Sequence, residues 1–192
     1  TAALVALIAL FGMTACPNNA GGGGDAFVDK TYDVEGIQFT MKIIAAVNGG
    51  KIGHADQANN GERDISLLSY HIGQTEVTQE LWEAVMGKNP SAFAGSSNPP
   101  VSGETQGARP VERVNWYYAI AFCNKLSLKL GLAPVYTVTI GGNPVDFESL
   151  TISQIPTADN AEWNAVTADW SVNGFRLPTE AEWEWAAQEG SK

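Results

Sequence analysis

Thiols, imidazoles and clustered carboxylates do most protein chemistry, and this chain is sparing with the first two. It has two cysteines, Cys16 and Cys123, and two histidines, His54 and His71. A reactive thiol needs its pKa lowered by a helix start, a base or a metal. Cys123 falls in the middle of a helical apolar stripe, beside Phe122 and Leu126, and reads as a buried structural cysteine. A zinc or iron site needs three or four converging ligands, which two isolated histidines and one buried cysteine do not supply. Glu180, Glu182 and Glu184 alternate, and alternate residues on a helix do not share a face. They read as capping and surface charge rather than as an acid–base pair. Arg176 precedes Pro178 in a turn, where the guanidinium fork ties loops together; a structural ion pair with Glu76 or Glu182 is expected. No G-x-S-x-G elbow is present, and the run Gly21, Gly22, Gly23, Gly24 lacks the strand before and the helix after that a phosphate cradle requires.

Cys16 has a different context. Residues 2–11 are an uncharged apolar run, too short to span a bilayer as a helix, which takes about 20 residues, but of the length of a signal-peptide core. The run ends in Met13, Thr14, Ala15, Cys16, the small-residue pattern before a cysteine that resembles a bacterial lipobox. Residues 1–16 are therefore expected to be a signal peptide, lacking its basic start, with Cys16 as the lipidated residue. Residues 17–36, with four consecutive glycines, read as a flexible tether that holds a folded domain off the membrane. This places the chain at the bacterial cell envelope, periplasmic or surface-exposed. With Cys16 lipidated, Cys123 has no disulfide partner.

The elements that position the remaining groups follow from periodicity and capping. Ile37, Phe39, Met41 and Ile43 alternate with polar residues as in a half-buried strand. Residues 47–64, rich in Gly and Asn, read as a loop, and residues 65–72 as a second strand. Thr78 caps a short helix to about Met86, closed by Gly87. Residues 94–108 read as a polar loop. The strongest helix runs from Trp116 to Leu130 with Asn115 as cap and an apolar stripe at Trp116, Ala119, Ile120, Cys123, Leu126 and Leu130. Residues 135–140 alternate as a strand, and residues 146–169 read as irregular with a short strand near Thr151. Thr179 starts the last helix: Glu182 lies three residues on, the spacing of a capping box, and Pro178 enforces an extended approach at Leu177. Six tryptophans supply core, with Trp163 and Trp170 in the irregular segment expected to be exposed.

The net charge of −10 argues against nucleic-acid binding, which needs a basic face. A length of 192 residues allows one domain with a real core. Short strands, a few helices and long loops make an α+β domain.

Three ordered blocks carry a family resemblance: Gly73 through Phe93, beginning Gly73-Gln74-Thr75-Glu76-Val77-Thr78-Gln79; Arg109 through Ser127, including Val114-Asn115-Trp116-Tyr117; and Asn173-Gly174-Phe175-Arg176-Leu177-Pro178-Thr179-Glu180-Ala181-Glu182-Trp183. They resemble the formylglycine-generating enzyme, or sulfatase-modifying factor, family across residues 37–190. The resemblance implies an irregular fold related to C-type lectins, with low regular content. Active members oxidise a sulfatase cysteine to formylglycine, using oxygen and a copper ion held by two cysteines, and they bind calcium. Those cysteines and calcium loops follow the last block, and no residue here matches them. The resemblance therefore carries over scaffold positions only: Glu76, Thr78, Gln79, Trp116, Cys123, Arg176, Pro178, Thr179, Glu180, Glu182 and Trp183. Copper, calcium and a sulfatase partner are expected only of a longer protein. Two readings stay open: an exported lipoprotein whose domain binds ligands or acts as a scaffold, and a copper-dependent formylglycine-generating oxidase. A structural envelope or motility lipoprotein is a weaker third. Without a second half, residues 25–192 are expected to expose apolar surface and fold poorly alone.

Overall fold

The computed structural model describes residues 11–12, 28–56 and 60–189. The strands are β1 (Phe11–Gly12), β2 (Lys30–Val34), β3 (Ile37–Ile44), β4 (Val47–Ile52), β5 (Arg63–Leu67), β6 (Tyr70–Gly73), β7 (Tyr136–Thr137), β8 (Thr139–Ile140), β9 (Asn143–Pro144), β10 (Thr167–Ala168) and β11 (Phe175–Arg176). The helices are α1 (Gln79–Met86), α2 (Trp116–Lys129), α3 (Ala161–Asn164) and α4 (Glu180–Glu189), with single 3₁₀ turns at Gln106–Ala108 and Ile152–Gln154. The main sheet has the order β11-β1-β6-β3-β2, and three two-stranded ribbons surround it: β4 with β5, β7 with β10, and β8 with β9. This is the irregular α+β architecture expected from the sequence.

Alternation sets the two faces of the sheet. Directly opposed residues share a face, so Tyr32, Phe39 and Phe175 meet on the inner side, with ring centroids 5.3 to 5.9 Å apart. That face packs on α2 and α1, whose Trp82 and Phe122 stack at 4.9 Å. The core is continuous through Met41, Leu81, Ile120, Leu126, Val138 and Trp163. The opposite face receives α4, where the Tyr70 hydroxyl donates to the Glu182 carbonyl at 2.6 Å.

The caps fall where the sequence puts them. The Thr78 hydroxyl accepts from the Leu81 amide and Gly87 closes α1 at φ 78°, a left-handed conformation that suits glycine. The Asn115 side chain accepts from the Tyr118 amide at 2.8 Å.

Several expectations are corrected. Residues 47–64 belong to a hairpin, not a plain loop: Val47 pairs with Leu67, Gly50 with Ile65 and Ile52 with Arg63, Ile52 is fully buried, and Gly49 at φ 73° absorbs the bulge between Asn48 and Gly50. The strand expected over residues 65–72 is two strands in different sheets, broken at Leu68 and Ser69. Residues 135–140 likewise split into β7 and β8. The strand expected near Thr151 is a 3₁₀ turn whose Thr151 and Gln154 form a capping box. Trp163 is buried rather than exposed, because Tyr117 and Phe147 enclose it. Trp116, assigned to the apolar stripe, is 45% exposed, its ring tilted against Tyr117 at 5.7 Å. Cys16 and residues 17–27 of the expected tether lie outside the described residues, but residues 30–34, also assigned to the flexible tether, form β2 with Val34 buried in the core.

Candidate functional site

The last signature block closes around one buried ion pair. Arg176 Nη1 and Nη2 donate to Glu182 Oε2 and Oε1 at 2.8 and 2.6 Å, and both side chains are buried. The pair spans the Leu177 and Pro178 turn, and Glu182 also accepts from the Thr179 amide at 2.8 Å. The Thr179 hydroxyl in turn accepts from the Glu182 amide at 3.2 Å, the reciprocal bonding of a capping box. Burial alone would raise the Glu182 carboxyl, but the Arg176 fork and the Thr179 donors hold it below the ordinary glutamate value. The Trp170 ring lies over the Arg176 guanidinium, 4.7 Å from its centroid, a cation–π contact. Glu182 is thus a buried bridge rather than the surface charge expected of it, and the partner of Arg176 is Glu182, not Glu76. Glu180 does stay at the surface, 3.3 Å from Arg63. Glu184 turns toward the hairpin, accepting from the Gly53 amide at 2.6 Å and from Asn60 at 3.2 Å.

The first block holds a second buried polar centre. Gln79 is almost fully buried at the start of α1. Its Nε2 donates to the Phe93 and Pro110 carbonyls at 3.3 and 3.2 Å, and its Oε1 accepts from Asn89 and Gln106 at 2.9 and 2.8 Å. All the hydrogen-bonding capacity of one amide is spent on the long segment between α1 and α2. Arg109 extends the network to the Phe93, Asn98 and Pro99 carbonyls at 2.7 to 3.2 Å, and pairs with Glu104 at 2.6 Å. The Arg109 fork and the Val101 amide bring the Glu104 carboxyl down to about 2.

Helix α2 ties down the rest. Ser127 Oγ donates to the Cys123 carbonyl and accepts the Phe175 amide, both at 2.7 Å. Asn124 exchanges two hydrogen bonds with the Tyr136 backbone, at 2.6 and 3.0 Å. The Tyr136 hydroxyl then accepts the Leu177 amide at 2.9 Å. Cys123 is fully buried, and burial pushes its thiol up to about 12. It is not poised as a nucleophile or a metal thiolate.

The sequence-marked positions therefore form three scaffold centres rather than one reactive cluster. Gln79, Thr78 and Glu76 lie at the start of α1; Trp116 and Cys123 lie on α2; and Arg176, Pro178, Thr179, Glu180, Glu182 and Trp183 surround the start of α4. Among the described residues, no three Cys, His, Asp or Glu side chains converge as a metal would require. Sequence reading missed Asn124, Ser127, Arg109 and Tyr70 as organisers. Polar residues set in an apolar helical stripe, such as Asn124 and Ser127, are the signal that could have found the first two.

Several large apolar side chains face outward. Phe93 is 61% exposed, Trp170 51% and Trp183 47%. Trp183 borders an apolar groove of about 770 Å³ beside α4, with Ile43, Ile44, Ile72, Ala186 and Ala187.

Within this irregular α+β domain, the signature residues Gln79, Arg176 and Glu182 brace loops from inside. Residues 31–192 match the Sulfatase-modifying factor enzyme 1-like domain, and the chain belongs to that family. It is 39% identical over 149 residues to the chaperone protein LppX of Paenibacillus barcinonensis, covering 78% of this chain and 46% of that protein. The solved Treponema denticola variable protein 1 superposes with a TM-score of 0.80 at 62% identity, covering 85% of this chain and 57% of the other. A protein named CarF shares the fold, with a TM-score of 0.52 at 24% identity over 78% of this chain and 57% of its own. The chain spans about half the length of these relatives.

Proposed function

We propose that this chain is the scaffold part of a lipid-anchored binding protein at the bacterial cell envelope. The observation that carries the binding reading is the inward use of the signature groups. Gln79, Arg109, Arg176 and Glu182 spend their hydrogen bonds on backbone and side-chain groups of the fold itself, while large aromatic side chains face outward. Rigid support beneath exposed aromatic groups is the arrangement of a recognition surface. The 62% identity to a protein called a variable protein supports a surface whose sequence changes on a constant frame. The lipobox-like Met13-Thr14-Ala15-Cys16 and the glycine tether support the anchor.

Expression of the intact gene in a bacterium with labelled palmitate tests the anchor. Label is expected in the membrane fraction and is lost in Cys16→Ala; an unlabelled wild-type protein overturns the reading. The family match favours a second reading, a copper-dependent formylglycine-generating oxidase that matures sulfatases. Incubating the protein from the whole gene with copper, oxygen and a sulfatase-derived cysteine peptide decides between them. An aldehyde trapped by a hydrazide reagent establishes the oxidase. The name of the 39% identical relative adds a chaperone as a partner-binding variant of the first reading.

A further inference from the structure

Strand β1 is two residues long, yet it joins the two parts of the main sheet. Phe11 stands opposite Ile72 of β6 on one side and Arg176 of β11 on the other; Gly12 stands opposite His71 and Phe175 in the same way. Both pairings are antiparallel. β6 and β11 do not pair with each other. With strands about 4.8 Å apart in a sheet, the gap between them fits one backbone. Of the residues that stand opposite it, His71, Phe175 and Arg176 are buried. A vacant gap would leave ladder groups of both neighbours unpaired where side chains keep water out, which proteins avoid. The place has to be filled.

The segment that fills it belongs to residues 1–15, which the lipoprotein reading removes. Cleavage ahead of Cys16 takes Phe11 and Gly12 with it and opens the gap. The relatives are about twice as long as the matched stretch, 46% of one and 57% of the other being covered. Helix α4 follows β11, and Ala186 and Ala187 in its later turns border the same groove as Ile72 of β6, so polypeptide continuing from it starts on that side of the sheet.

We propose that the space between β6 and β11 is a strand-acceptor site, held by the leader before processing. In the processed protein it is taken by an extended segment of the same polypeptide that follows α4, antiparallel to both neighbours. The occupant is recognised mainly through backbone hydrogen bonds, as in strand addition generally. The apolar groove along Ile72 and Trp183 offers a seat for its side chains. This inference rests on the lipoprotein reading for the removal of the leader, and on the register of β1 for the site itself.

Amide hydrogen exchange at His71 and Arg176 tests it; the Phe175 amide already donates to Ser127, and the Ile72 amide faces Lys42 of β3 rather than the gap. In the 192-residue chain, Gly12→Pro is expected to speed exchange at those amides by about tenfold or more, while Ile120 and Phe122 on α2 keep their protection. A synthetic peptide covering residues 9–14, added in excess, is expected to restore it. In the processed protein from the whole gene, the same amides are expected to be protected with no peptide added. Unchanged exchange in Gly12→Pro, failure of the peptide to restore protection, or open amides in the processed protein overturns the proposal. Should Gly12→Pro unfold α2 as well, Phe11→Pro with the same peptide gives the same readings. Palmitate labelling reports separately on the anchor, so a failed lipoprotein reading and a failed acceptor site are told apart.

Discussion

Arg176 and Glu182 meet in a two-pronged pair, at 2.8 and 2.6 Å, buried beneath the exposed ring of Trp170. They stand six positions apart in sequence, and the turn they close delivers the chain from the last strand of the sheet to the helix on its outer face.

Removing one partner of a buried pair leaves the other charged without compensation, at a cost of about 3–5 kcal/mol. Arg176→Met is expected to lose that much stability in urea or thermal unfolding. The double change Arg176→Met with Glu182→Leu is expected to recover most of the loss, because it removes both desolvated charges. Additive losses in the double variant would show that the pair is not coupled.

Acid should loosen the protein in a defined window. The Glu182 carboxyl lies below its ordinary value and the Glu104 carboxyl is held at about 2. A depressed folded-state value means that the unfolded chain binds protons first as pH falls. The stabilisation is therefore complete above the ordinary glutamate value of 4.5 and is lost between there and about 2. Melting temperature followed from pH 6 downward is expected to fall below pH 4.5, and Glu104→Gln is expected to flatten part of that fall. An unchanged slope in Glu104→Gln would remove Glu104 from the account.

Gly174 admits no side chain. A Cβ there would run into the Ala133 carbonyl oxygen and crowd Ser127 Oγ, the group that receives the Phe175 amide. Gly174→Ala is expected to cost at least about 2 kcal/mol, through strain and an unsatisfied buried amide. Alkylation of Cys123 gives a companion readout. The fully buried thiol is expected to be inert in the native protein, with faster labelling in Gly174→Ala as β11 lifts from α2.

Gln79→Leu keeps the size of the side chain but removes its four hydrogen bonds. The segment between α1 and α2 is expected to become more susceptible to proteolysis near Phe93 and Val101, while α2 stays protected. Equal resistance in wild type and variant would show that Arg109 alone holds the segment.

Much of this frame was legible from residue types. The Thr78 and Asn115 caps, the Gly87 stop and the Thr179 and Glu182 capping box act within a turn of their own helix, so spacing alone reveals them. The burial of Cys123 followed from its place on an apolar stripe. The β4 and β5 hairpin was hidden because glycine and asparagine signal loops whether they form a bulged strand or a true loop. Trp163 was misjudged because its burial comes from Tyr117 and Phe147, which lie 46 and 16 residues away. Gln79 was marked by its family position, but its role as a hub needs four partners that sequence distance conceals. Periodicity describes what a residue does within its own element, and these residues act between elements.

Helix α2 reaches Phe147, Glu148 and Leu150 through Lys125, Pro156 through Asn115, Asn160 and Asn164 through Tyr117, Tyr136 through Asn124, and Phe175 through Ser127. The chain that follows is moored at intervals to one rigid axle and holds its course with little regular structure of its own. Between moorings, the residues whose side chains face outward answer only to solvent and to whatever docks on them. Substitution there can drift or be selected at small expense to folding, so a lineage of such proteins could diversify its outer face while inheriting a single unaltered helix.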